Sequence, residues 1–69
     1  MSLAIVSEPA GATVYVDGQV LDDVTPARVT LPAGTAQVWV RVTRDGFESD
    51  EREIIASVGE ARFVLRPLP

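Results

Sequence analysis

The chain contains no cysteine, histidine, lysine or asparagine, and most of these absences remove some chemistry. Without Cys there is no disulfide and no thiolate, and without Cys and His the usual zinc ligand sets are missing. Without His there is no side chain that ordinarily exchanges protons near neutral pH. Ser2, Ser7, Ser49 and Ser57 therefore have neither a His nor a Lys to activate them as nucleophiles. The five glycines are scattered one to a turn, so no phosphate-cradling loop is present. No apolar run approaches the ~20 residues that span a bilayer as a helix. Basic charge is scarce: six arginines face ten carboxylates, for a net charge of −4. Such a surface repels phosphate backbones and argues against a nucleic-acid partner. The joint lack of Lys, Asn and His reads as codon bias of a GC-rich genome rather than as mechanism.

What is present is enough to fold. At 46% hydrophobic the composition is not that of a disordered chain. A chain of 69 residues makes one domain with a thin core, burying only ~60% of the surface its unfolded form exposes. Met1-Ser2-Leu3 lacks the charged-then-apolar layout of a signal peptide. Residues 1–3 read as an artificial remnant of cloning ahead of a single domain, residues 4–69, excised from a larger protein.

Hydrophobic periodicity is two almost throughout. Ala12, Val14 and Val16 alternate with Thr13, Tyr15 and Asp17, and Asp17-Gly18 is a hairpin-type turn. Beyond an acidic loop, Ala27, Val29 and Leu31 alternate with Arg28 and Thr30. Ala36, Val38, Val40 and Val42 then alternate with Gln37, Trp39, Arg41 and Thr43. Further strands are expected at Leu3 to Ser7, near Arg52 to Ser57, and from Glu60 to Arg66 with Ala61, Phe63 and Leu65 inward. In "SDEREIIASV" a helix competes, since Ser49 can cap, but β-branched Ile54-Ile55 and nearby Gly59 favour a strand. Six short strands without crossover helices predict a small antiparallel β-sandwich. Pro9, Gly11, Asp17-Gly18 and Thr25-Pro26 are each read as a corner of that fold.

The order of these motifs resembles the PEGA domain, a bacterial and archaeal β-rich module. The matching positions are Pro9-Ala10-Gly11-Ala12, Val14 and Val16 in "ATVYVDG", Thr25-Pro26, "LPAG" at Leu31 to Gly34, the Val-rich strand after it, and Asp45-Gly46-Phe47. Ala10 stands where the family has its Glu. Asp23 stands where the family usually has a Gly, in a loop one residue longer. The resemblance implies a transthyretin- or prealbumin-like sandwich and a non-catalytic accessory module, similar to surface-layer segments and attached to kinases or envelope proteins. It implies an extracytoplasmic, cell-envelope setting and carries over no binding residues and no cofactor.

Two acidic groups attract attention. Asp17, Asp22 and Asp23, placed in one loop, offer oxygens to Ca²⁺, but EF-hand or nonapeptide spacing is lacking. Solvated turn carboxylates are the simpler reading, and no metal site is assigned. Asp45, Glu48, Asp50, Glu51 and Glu53, interleaved with Arg44 and Arg52, read as an exposed face whose charges limit edge-to-edge pairing. Acid–base catalysis by paired carboxylates would need a cleft that so small a sandwich does not provide, so no enzyme is expected.

Trp39 is the candidate binding residue. Period two sets it opposite the core face, with Tyr15, Arg41 and Arg28 as neighbours if their strands share a sheet. Aromatic plus Arg is the composition of interface hot spots and of sugar-stacking platforms. The simpler alternative is that Trp39 covers Arg41 or packs cross-strand. Ile55 and Val64 are also expected off the core face. The sequence thus points to an interaction module binding a neighbouring domain, another copy or an envelope component through Trp39, Tyr15 and Arg41. A carbohydrate-binding module using the same aromatics is the alternative, and direct insertion into a membrane is not expected.

Overall fold

In the computed structural model, which describes residues 2–69, the chain winds into seven strands and no α-helix. They are β1 (Ser2–Glu8), β2 (Thr13–Val16), β3 (Gln19–Val24), β4 (Ala27–Thr30), β5 (Gln37–Thr43), β6 (Asp50–Ile55) and β7 (Glu60–Val64), with a 3-10 turn at Ala56–Val58. They form a three-stranded sheet, β4-β1-β7, and a four-stranded sheet, β3-β2-β5-β6. The alternation read from the sequence is what lets these sheets face one another. Leu3, Ile5, Ala27, Ala61 and Phe63 point in from the first sheet, and Val14, Val38, Val40, Val42 and Ile54 from the second, into one continuous buried cluster. Burial of each large member stabilises by roughly 1.5–3 kcal/mol, and Phe63, Leu3 and Ile5 are the largest fully enclosed.

Four details depart from the sequence reading. The acidic stretch after Gly18 is not a loop but strand β3, paired with β2. Asp22-Asp23 break its alternation, which hid it. Thr13 pairs with Val24 while Tyr15 pairs with Val20, so two steps along β2 oppose four along β3. The two surplus residues make a bulge that carries the aspartates. Second, β1 and β7 run parallel, Ile5 opposite Ala61, although every other pairing is antiparallel. A parallel pair needs a crossover, and here nearly the whole chain between β1 and β7 supplies it. Third, Ala36 is exposed, because β5 begins only at Gln37. Fourth, β6 starts at Asp50 and yields to the 3-10 turn at Ala56, so Ser57 lies outside it.

The two motifs quoted at Pro9–Ala12 and Thr25-Pro26 meet as a single corner. Gly11, at φ +89°, turns the chain into β2. Its N–H donates to the Thr25 carbonyl, and the Thr25 N–H donates to the Ala12 carbonyl, at 2.9 and 2.8 Å. The Ala12 N–H donates to Thr25 Oγ1 at 2.9 Å. Ser7 Oγ gives its hydrogen to the Pro9 carbonyl, so in the 2.6 Å contact between the two hydroxyls Thr25 is the donor. Thr25, only 2% exposed, is thus fully satisfied and is the one buried polar residue among those described. The peptide bonds before Pro9 and Pro26 are both cis.

Beyond β7 the chain stitches the sandwich shut. Leu65 N–H donates to the Glu8 carbonyl, Glu48 N–H to that of Arg66, and Leu68 N–H to that of Gly46. Leu65 is buried although it lies past the strand.

Candidate interaction surface

Tyr15, Trp39 and Arg41 come together on the outer face of the four-stranded sheet. Tyr15 is directly opposite Arg41 across the β2–β5 ladder and opposite Val20 across β2–β3. The Arg41 guanidinium lies 5.5 Å from the centre of the Tyr15 ring. Across β5–β6, Arg41 faces Glu51, Trp39 faces Glu53 and Gln37 faces Ile55. Trp39 is 46% exposed, and its Nε1 donates a long 3.4 Å bond to Glu51 Oε2. Tyr15, Gly18, Trp39, Arg41 and Glu51 line a shallow depression of ≈ 290 Å³.

The local fold holds Trp39 in place through Asp17. Asp17 and Gly18 both have positive φ, +49° and +85°, the geometry of the two-residue turn that suits a hairpin. The Asp17 N–H still donates to the Trp39 carbonyl at 2.8 Å. The Asp17 carboxylate oxygen Oδ1 in turn accepts from the Trp39 N–H at 3.0 Å, in the place a backbone carbonyl holds in a regular ladder. The Asp17 side chain thereby continues the β2–β5 pairing past the end of β2.

Other candidate residues separate. Arg28, expected beside Trp39, lies in β4 of the opposite sheet, where its Nη1 donates to Ser2 Oγ. Asp22 and Asp23 sit in β3 rather than in a loop with Asp17, whose carboxylate is engaged by Trp39. No group of three or more acidic residues suited to a metal ion occurs among the described residues. Ile55 joins the Trp39 face, whereas Val64 lies in the other sheet. Sequence reasoning missed Val20 and Val24, 57% and 52% exposed, because it took their strand for a loop. A second depression of ≈ 270 Å³, among Glu48, Ser49, Asp50, Val64 and Arg66, is polar and carries no aromatic.

The family model described as PEGA domain matches residues 1–62, nine-tenths of the chain. The chain belongs to the PEGA domain family. PEGA domains are small accessory modules. Neither a curated protein nor a solved structure matches this chain. This PEGA domain retains Phe63 and Leu65 in its core beyond the matched segment.

Proposed function

We propose that this PEGA domain is a non-catalytic structural or interaction module of a larger bacterial protein, of the cell envelope or associated with a kinase. It docks a protein surface (a neighbouring domain, another copy or an envelope component) through the outer face of the four-stranded sheet. The observation that carries this reading is how exposed apolar side chains are distributed. Of the seven large apolar residues that are exposed among those described, Val20, Val24, Trp39 and Ile55 share that one face with half-buried Tyr15, while Val58, Val64 and Leu68 lie outside that sheet, and exposed apolar residues gathered on one face mark interaction surfaces more than scattered ones do. Trp, Tyr and Arg are also the residues that dominate interface energetics. The test is to sequence the gene on both sides of this segment and to follow amide exchange in the parent protein. Slower exchange in β2, β5 and the Asp17-Gly18 turn than in the isolated chain supports docking there. Unchanged exchange on that face excludes it.

A carbohydrate-binding role is the second reading, favoured by the depression in which two aromatic side chains stand beside the hydrogen-bonding groups of Arg41 and Glu51. It expects the fluorescence of Trp39 to change on titration with polysaccharide, and docking of a protein alone expects no such change.

A further inference from the structure

The chain has four aromatic side chains, and three of them carry an arginine. Arg41 lies over Tyr15, Arg44 over Phe47 at 5.3 Å and Arg52 over Phe63 at 4.3 Å from the ring centre. Trp39 has no cation over it among the described residues, although indole is the side chain that attracts cations most strongly. It is half exposed, with Glu51 at its Nε1 and Glu53 directly across the ladder.

The charges of the molecule are partitioned in the same sense. The four-stranded sheet and its Asp17 turn hold six carboxylates (Asp17, Asp22, Asp23, Asp50, Glu51 and Glu53) against Arg41 and Arg52, a balance of −4. The three-stranded sheet balances Glu8 and Glu60 with Arg28 and Arg62, and the remaining segments balance Asp45 and Glu48 with Arg44 and Arg66. The entire net charge of the chain therefore lies on the sheet that presents the bare Trp39. Arg41, the only cation whose side chain points outward from that sheet, is already stacked on Tyr15 and paired across the ladder with Glu51.

We propose that the outer face of the four-stranded sheet docks a basic polypeptide segment, seating a Lys or Arg side chain over Trp39 with its charge met by Glu51 and Glu53. This rests on the reading of that face as a protein-docking surface and specifies the partner's chemistry. Val20, Val24 and Ile55 offer apolar shoulders to the rest of the segment. A second copy of the chain fits less well. Face-to-face packing would set like charge against like charge, since Asp17, Glu51 and Glu53 outnumber Arg41 on that face of each copy. At ~3.4 Å per residue and ~4.8 Å per strand, the face measures roughly 23 by 19 Å, a small footprint beside the ~800 Å² per partner typical of a stable interface. A narrow extended segment matches that size.

The test measures anisotropy of a dye-labelled, glycine-spaced hexalysine peptide titrated with the full 69-residue chain, at low and at physiological salt. Far-UV circular dichroism verifies the fold of each variant. Saturable binding is expected, weakened at least tenfold by Trp39→Ala. Glu51→Gln with Glu53→Gln is expected to weaken it several-fold and flatten its salt dependence, and Glu60→Gln on the other sheet to leave it unchanged. The glutamine double variant retains Trp39, so the proposal stays testable if Trp39→Ala does not fold. Equal binding by that double variant, or by a folded Trp39→Ala, would mean diffuse charge attraction and overturn the proposal. Trp39-dependent binding of an uncharged leucine–serine peptide in place of hexalysine would overturn the cationic partner but keep the docking surface. Binding of cellohexaose alone would overturn both.

Discussion

Thr25 shows how much a single side chain contributes in a fold with so thin a core. It joins two motifs thirteen residues apart by accepting the Ala12 N–H and donating to Ser7. Thr25→Val keeps the shape but leaves that N–H without an acceptor, which costs about 1–3 kcal/mol for a buried group. Thr25→Ser should recover most of the loss, and urea denaturation of the three proteins measures it. Asp17 is a second such residue. Asp17→Asn keeps an acceptor for the Trp39 N–H and tolerates positive φ, so its effect should stay within about 0.5 kcal/mol. Asp17→Ala loses the acceptor in a conformation alanine resists, and about 1–2 kcal/mol of destabilisation is expected in the same assay.

At the scale of the element, β5 shows both faces of the alternation. Val40 is fully buried and Trp39 half exposed. Val40→Asp should abolish folding by burying an unpaired carboxylate. Trp39→Ala should leave the β-sheet circular dichroism spectrum intact and cost no more than about 1 kcal/mol, as surface changes usually do. A protein damaged more by the second change than by the first would contradict the facing of this strand. Edge strand β6 uses its alternation differently. Its core-side positions Asp50, Arg52 and Ile54 pair with Val42, Val40 and Val38. Arg52 closes the gap to the other sheet by covering Phe63, donating to the Arg62 carbonyl and approaching Asp50 at 3.8 Å. Charges aimed inward on an edge strand discourage a second chain from adding to it. Asp50→Val with Arg52→Val should therefore give a folded protein that self-associates, visible as concentration-dependent sedimentation.

For the whole molecule, the segment after β7 is as structural as the strands. Ending the chain at Arg62 would remove Phe63 and Leu65 from the core, together with the bonds to Glu8, Gly46 and Glu48. The shortened chain should lack the β-sheet circular dichroism spectrum, whereas removing only Pro69 should leave melting unchanged. Partition of charge between the sheets is likewise a property of the whole. It gives the protein an acidic aromatic side and an electrically balanced one, although its acidic and basic residues are interspersed along the chain.

Much of this was legible in the sequence because it is local. Period-two runs at Val14, Val38–Val42 and Ala61–Phe63 depend only on successive side chains of a strand pointing to opposite faces. Turn residues such as Asp17-Gly18 and Gly11 depend only on which residues tolerate positive φ. From these, the all-β class, most of the core and the outward facing of Trp39, Tyr15 and Arg41 follow directly. The tertiary structure decided what depends on pairing between distant segments. It paired β3 with β2 despite the aspartates, because a bulge accommodates two surplus residues that a strict alternation cannot. It ran β7 parallel to β1, put Arg28 on the opposite sheet from Trp39, and left Trp39, among the described residues, as the one aromatic with no arginine over its ring. None of these is encoded in a short window, since the partner strand, its direction and its register are chosen by burial of the whole core.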